Sequence, residues 1–130
     1  MDIFRTLVQV TSSEKKIHYE SKVVLAGSCF SENIGKKLED AKFNVINNPF
    51  GIVYNPLSVK RGLLRLLQGN PYGETDLFQQ EGMWCSFDHH SRFSGADKTI
   101  TLNSINHHLT KASKTLKEAT VSMLPAIIPL

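Results

Sequence analysis

One continuous apolar run constrains the fold of this 130-residue chain more than any other feature. Val23 to Ala26 contains no polar residue and stops at Gly27. A strand with one solvated face alternates apolar and polar residues, whereas an unbroken run is typical of a strand covered on both faces. We therefore predict a central strand of a parallel sheet at residues 22–26.

A helix and a second strand follow this run. Ile34, Leu38 and Ala41 recur at helical spacing, which predicts an amphipathic helix over residues 31–41. Lys42 to Ile46 then predicts a second strand, which ends at a turn-rich segment. Because two strands joined through a helix lie parallel, the sequence predicts an α/β fold.

Two further helices are predicted from their start signals. Asn55 supplies a capping side chain and Pro56 a first-turn proline, so a helix is expected from there to the turn at Gly69. Asn103 is predicted to cap a last helix, in which apolar residues recur at intervals of four, three and four. Thr6 to Val10 alternates in the manner of a short peripheral strand.

The remaining segments are less regular. Residues 77–101 lack helical periodicity and predict a long irregular excursion, with short strands around Met83–Phe87 and Thr99–Leu102. A third parallel strand is expected near the end of the chain, but two prolines interrupt residues 120–130, so this tail can form an edge strand at best. An open sheet edge predicts self-association with another copy.

Composition and charge limit the classes of function. The 15 Lys and Arg residues against 12 Asp and Glu are scattered along the chain, so no nucleic-acid partner is expected. No apolar stretch approaches the ~20 residues that cross a membrane, and no leader segment is recognisable. Cys29 and Cys85 form no disulfide framework, which predicts reduced thiols and a cytoplasmic protein. No cofactor is expected.

Ser28 lies where the predicted central strand gives way to a helix. The carboxyl end of a parallel strand is the usual place for ligands in open α/β sheets, which makes Ser28 a candidate nucleophile. The alternative is that Ser28 or Ser31 only caps the helix, since serine is a common N-cap residue. Cys29 is a second candidate nucleophile, or else a buried small apolar residue.

Asn48 and Gly51 follow the second predicted strand at the same edge of the sheet. A side-chain amide and a glycine N–H facing Ser28 are the donors from which an oxyanion hole is built. The alternative is an ordinary turn, because Asn, Pro and Gly together are typical of turns.

A histidine pair in the excursion offers a base. His89 or His90 could accept the proton of Ser28, and Asp88 could orient the imidazole. Cys85, His89 and His90 together are a weak alternative for zinc, and no metal site is assigned. His107 and His108 are expected to be a surface pair on the last helix.

Four sequence blocks follow one another along the chain: Phe4–Thr6, Gly27–Gly35, Asn48–Pro56 and Phe87–Gly95. Together and in this order they resemble the GSCFA family of bacterial proteins. The resemblance covers residues 4 to about 119 of a single domain spanning 1–130, with residues 120–130 as an atypical tail. The family's usual alanine after Phe30 is Ser31 here. The family is similar to the SGNH (GDSL-like) hydrolases, which implies a partial flavodoxin-like parallel sheet flanked by helices and incomplete at the C-terminus.

The resemblance also implies roles for individual residues. Ser28 takes the place of the superfamily nucleophile, and Gly51 is the counterpart of the oxyanion glycine. The superfamily's later asparagine and its terminal Asp and His have no matching residues in this chain. His90, or His89 beside it, is then the substitute base, and weak or absent activity is expected.

Three hypotheses follow for function. The first is a serine hydrolase domain that cleaves an acyl ester, either a small molecule or a carbohydrate ester. The second is a non-catalytic ligand-binding or interaction domain, and the third is an inactive fragment. A hydrolase assignment rests on family analogy, since a fold alone does not determine function.

Overall fold

The computed structural model describes residues 6–14 and 16–118. Within them the chain forms an α/β structure with a parallel strand pair and an antiparallel hairpin. The helices are α1 (Cys29–Asp40), α2 (Pro56–Gln68) and α3 (Lys98–Glu118). The strands are β1 (Lys22–Leu25), β2 (Asn44–Asn47), β3 (Leu77–Gln80) and β4 (Met83–Ser86), and short 3₁₀ turns lie at Glu74–Asp76 and Ser91–Phe93.

The predicted parallel unit is confirmed. β1 and β2 pair in parallel, with Val23 opposite Val45 and Leu25 opposite Asn47, and α1 connects them. α1 packs closely on β2: the approach at Gly35 is so close that a Cβ there would overlap the side chain of Asn47. Among the described residues, β1 and β2 pair only with each other, so self-association through their edges stays a prediction.

A buried cluster between the sheet, α2 and α3 forms the core. Val24 and Ile46, one from each parallel strand, pack against this cluster. α3 packs along β1, and Lys22 at the start of the strand makes an ion pair with Glu118 at the end of α3. The buried apolar residues are Phe50, Leu66, Tyr72, Leu77, Ile105, Leu109 and Ala112.

The start and end signals of α2 act as predicted. Asn55 Oδ1 accepts a hydrogen bond from the N–H of Leu57 at 2.8 Å, and Pro56 is the first helical residue. Gly69 ends the helix in the left-handed conformation, with φ 69°, which glycine adopts without steric cost. α1 begins two residues earlier than predicted, at Cys29, and ends at Asp40.

Two predicted strands are wrong. Thr6 to Val10 forms no strand, and Leu7, Val8 and Val10 are exposed because none of the described strands pairs with them. Thr99–Leu102 is the first turn of α3, which begins at Lys98 rather than after Asn103. The start is fixed by Asp97, which accepts hydrogen bonds from the N–H of Ile100 on its side chain and from that of Thr101 on its carbonyl.

The segment 77–101 contains more regular secondary structure than the sequence predicts. β4 confirms the predicted strand around Met83, but residues 77–80, expected to be irregular, pair with it as β3 across the Glu81–Gly82 turn. The atypical tail at 120–130 lies outside the described residues. No helix in the described part of the chain is both long and apolar enough to cross a membrane.

Candidate active site

Ser28 immediately precedes α1, at the C-terminal end of the parallel strand β1. Its Oγ accepts a hydrogen bond from the N–H of Phe30 at 3.3 Å, and its carbonyl accepts one from the N–H of Glu32 at 3.1 Å. Ser28 is therefore the N-cap, as the alternative interpretation states. The cap uses Oγ as an acceptor and leaves its proton available. The N–H groups of Ser28 and Cys29 make no hydrogen bond to any described residue.

Asn48 connects the end of β2 to the Ser28 turn. It is 1% exposed, and its Oδ1 accepts a hydrogen bond from the N–H of Gly27 at 2.8 Å. Its Nδ2 donates to Glu32 Oε2 at 2.7 Å, and its backbone N–H donates to the carbonyl of Leu25 at 2.8 Å. All side-chain polar atoms of Asn48 are thus engaged, which fixes the residue next to the candidate nucleophile.

Gly51 closes the loop that starts at Asn48. Its N–H donates to the carbonyl of Asn48 at 2.7 Å, and its φ is 82°, in the region that favours glycine. A Cβ at this position would also overlap Cβ of His90. Two residues further on, the N–H of Val53 donates to the carbonyl of Gly27 at 2.9 Å. The loops that carry Ser28, Gly51 and His90 therefore pack against one another.

The structure reveals a role for Arg92 that the sequence analysis did not assign. One guanidinium nitrogen lies 3.3 Å from Glu32 Oε1, and the other donates to the carbonyl of Asn48 at 3.1 Å. Glu32 thus binds Asn48 with one oxygen and Arg92 with the other. Glu32 and Arg92 lie in two different blocks of the family resemblance. Their opposite charges are the sequence feature from which this ion pair could have been predicted.

His90 lies beside Gly51, but its ring is already engaged. Its backbone N–H donates to the carbonyl of Phe50 at 2.8 Å, and its Nδ1 accepts from the N–H of Arg92 at 3.2 Å. A neutral imidazole has one acceptor nitrogen, so this bond places the proton on Nε2. No hydrogen bond joins His90 to Ser28 in the described part of the chain.

His89 is half-buried among aromatic rings. Its ring packs against those of Phe50, Tyr72 and Phe93, with centroids about 5 Å apart, and its Nδ1 lies 2.9 Å from Ser86 Oγ. Burial lowers the pKa of His89 from 6.5 to about 4, and the charge of Asp88 opposes this shift only in part. His89 is therefore neutral near pH 7 and belongs to the packing of the core.

Asp88 orients neither histidine by a hydrogen bond. Its carboxylate accepts from the Tyr72 hydroxyl at 3.2 Å and makes an ion pair with Arg61 at 2.8 Å. Burial, and next the Asp88 charge, raise the pKa of Tyr72 above its ordinary value. The expectation that Asp88 positions an imidazole for Ser28 is wrong in this arrangement.

The cysteines also differ from expectation. Cys29 is exposed at the start of α1, so the interpretation of it as a buried apolar residue is wrong. Cys85 makes its hydrogen-bond contact with the carbonyl of Met83. Within residues 6–14 and 16–118, no group of three or more His, Cys, Asp or Glu side chains is arranged to hold a metal ion.

Comparison with protein families supports the resemblance noted in the sequence. The model of the GSCFA family matches residues 22–125 of the 130, a range that contains the Ser28, Asn48 and His90 blocks. This chain belongs to the GSCFA family. No curated protein and no solved structure matches it. The oxyanion roles of Gly51 and Asn48 and the base role of His90 stay predictions for this GSCFA chain.

Proposed function

We propose that this GSCFA chain carries a serine ester hydrolase site, with Ser28 as the nucleophile. The observation that carries the proposal is the position of Ser28 at the carboxyl edge of the parallel pair. There its own N–H and that of Cys29 have no partner among the described residues. Ligands of open α/β sheets bind at this edge, and backbone N–H groups beside a nucleophile stabilise an oxyanion.

The reaction starts with attack of Ser28 Oγ on the acyl carbon of the ester. The new O–C bond forms as the Oγ proton passes to a base, and the negative charge moves to the carbonyl oxygen, where the N–H groups of Ser28 and Cys29 donate to it. The ester O–C bond then breaks, and the alcohol leaves with the proton that the base took from Ser28 Oγ. Water hydrolyses the acyl-serine and regenerates Ser28.

His90 is the proposed base in this chain, because its loop packs on Gly51 at the same edge. Its Nδ1 accepts from the N–H of Arg92, so the ring must release this bond before it can take the Ser28 proton. Gly51 and Asn48 are proposed as further oxyanion donors. The Gly51 N–H must first release the carbonyl of Asn48, whereas the Asn48 amide has a second N–H besides the one on Glu32. These requirements predict slow turnover, since a serine without a positioned base keeps only a small part of the rate enhancement.

Labelling by a fluorophosphonate tests the nucleophile. We expect covalent modification of the intact chain at Ser28, located by peptide mass spectrometry, and its complete loss in Ser28→Ala. Because alanine also removes the helix cap, which costs about 1 kcal/mol, Ser28→Asn serves as a second variant that keeps a capping oxygen without a nucleophile. Ser13→Ala, in the exposed N-terminal segment, is the matched control and should label as the parent does. A folded parent that does not label contradicts the proposal.

A non-catalytic binding domain is the second candidate. The Arg92 N–H on His90 Nδ1 favours it, because this bond leaves no free imidazole lone pair beside Ser28. The two functions differ in one readout: an ester that raises the melting temperature but yields no acid product identifies a binding domain. Release of acid that depends on Ser28 identifies the hydrolase.

A further inference from the structure

The main-chain carbonyl oxygen of Asn48 accepts two hydrogen bonds. The N–H of Gly51 donates to it at 2.7 Å, and the guanidinium of Arg92 donates to it at 3.1 Å. A carbonyl oxygen has two lone pairs, so both are in use. Because Asn48 is buried, this oxygen depends on donors that the protein supplies.

The loop of residues 48–53 is attached at both ends to Gly27, the residue before Ser28. Asn48 Oδ1 accepts from the N–H of Gly27 at 2.8 Å, and the N–H of Val53 donates to the carbonyl of Gly27 at 2.9 Å. Gly51 lies between these two attachments. Because glycine has more backbone freedom than any other residue, the N–H of Gly51 can change its partner while both ends of the loop stay in place.

Arg92 is held against this loop by contacts that do not involve the N–H of Gly51. One guanidinium nitrogen lies 3.3 Å from Glu32 Oε1, and Glu32 Oε2 accepts from Asn48 Nδ2 at 2.7 Å. The guanidinium also passes close to Gly51, since a Cβ at that position would lie 3.5 Å from Arg92 Nε. Arg92 can therefore stay on the Asn48 carbonyl when the N–H of Gly51 turns away from it.

Resting on the proposed function, we propose that Arg92 is a positioning residue for the oxyanion donor Gly51. When the N–H of Gly51 leaves the Asn48 carbonyl to donate to the oxyanion, Arg92 remains as the partner of that carbonyl. A hydrogen bond from a guanidinium is stronger than one from a neutral donor. Without it, the same exchange leaves a buried carbonyl unpaired, which is costly. Arg92 thereby lowers the barrier to attack by Ser28 without touching the substrate.

The kinetics of fluorophosphonate labelling test this role on the intact chain. In this reaction the bond from Ser28 Oγ to phosphorus forms, the Oγ proton passes to the base, fluoride leaves, and negative charge develops on the phosphoryl oxygen. We expect Arg92→Ala to lower the maximal labelling rate constant, kinact, about tenfold, the factor that corresponds to leaving a buried carbonyl unpaired. The reagent concentration at half-maximal rate, KI, should not change, because the exchange takes place only in the transition state.

Arg65→Ala is the matched control. Arg65 also joins a carboxylate, that of Asp76 at 3.3 Å, to main-chain carbonyls at 3.0 Å, but it does so at the turn after α2. Its replacement should lower the urea midpoint at least as much as Arg92→Ala does and leave kinact unchanged. Added guanidinium, far below denaturing concentrations, should restore kinact in Arg92→Ala, because the Arg92 side chain is 45% exposed and its site is open to the ion.

An unchanged kinact in Arg92→Ala overturns the positioning role, while the nucleophile role of Ser28 stands. An equal loss in Arg65→Ala, or a loss that guanidinium does not restore, shows that Arg92 only stabilises the loop and also overturns the proposal. If Arg92→Ala does not fold, Arg92→Met and Arg65→Met, which keep the apolar stem but no donor, give the same comparison of kinact and KI. Absence of any labelling in the parent chain contradicts the proposed function, and the role of Arg92 is rejected with it.

Discussion

Replacing Asn48 with alanine is expected to lower the free energy of unfolding by about 3 kcal/mol. The change leaves the N–H of Gly27 and one oxygen of Glu32 without the partners they have at 2.8 and 2.7 Å. Asn48 also has a φ of 43°, a left-handed conformation that asparagine tolerates and that costs alanine about 1 kcal/mol. Urea denaturation should show a lower midpoint with an unchanged slope.

Two further variants separate these contributions. Asn48→Gly removes the same amide but permits the positive φ, so it should be about 1 kcal/mol more stable than Asn48→Ala. Asn33→Ala changes an exposed asparagine on α1 and should stay within about 0.5 kcal/mol of the parent. An Asn48→Ala protein as stable as the parent would show that the buried amide does not hold the Ser28 turn in place.

Local signals were sufficient for the elements whose ends depend on neighbouring residues. The cap at Asn55, the proline after it and the glycine at the end of α2 act within one turn of the chain. The unbroken apolar run at Val23–Ala26 predicts a central parallel strand. Its parallel pairing with β2 is confirmed, whereas β1 has a single strand partner among the described residues and is only partly buried. In these cases the residues that determine where an element begins or ends are its near neighbours in the sequence.

Elements that depend on distant partners were predicted poorly. Thr6 to Val10 has the alternation of a strand, but a strand needs a partner edge, and none of the described strands provides one. The opposite error occurs at Thr99–Leu102, which is predicted as a short strand and forms the first turn of α3. Asp97, which no sequence pattern marks as a cap, accepts a hydrogen bond from the N–H of Ile100 and caps the helix there.

In the candidate site, too, the local features are predicted from sequence and the distant contacts are not. Ser28, Asn48, Gly51 and His90 were selected from sequence, and the structure places their loops together. Ser28 and His90 bind near neighbours in the chain, Phe30 and Arg92. The side-chain partners of Asn48, which lie 21 and 16 positions away, were not predictable from local sequence. Arg92 reaches Glu32 across 60 positions, and only the fold brings the two charges together.

His89 is expected to make the stability of the domain depend on pH. Its pKa is lowered from 6.5 to about 4, chiefly by burial among aromatic rings. Between these values the unfolded chain binds a proton that the folded chain does not, so acid favours unfolding. The stabilisation is complete above about pH 6.5 and is lost as the pH falls towards 4, a total of about 3 kcal/mol.

Urea unfolding of the parent and of His89→Phe, measured between about pH 7.5 and pH 4.5, isolates this contribution. Phenylalanine keeps an aromatic ring in the site but cannot bind the proton, and carboxylate titration affects both proteins alike. The parent should lose stability relative to His89→Phe as the pH falls. If the phenylalanine does not fit, His89→Leu gives the same comparison. His18→Gln, which removes an exposed histidine, is the control, and its stability should fall with pH as that of the parent does. If the stabilities of the parent and of both His89 variants change in parallel with pH, then His89 binds its proton as readily in the folded as in the unfolded chain.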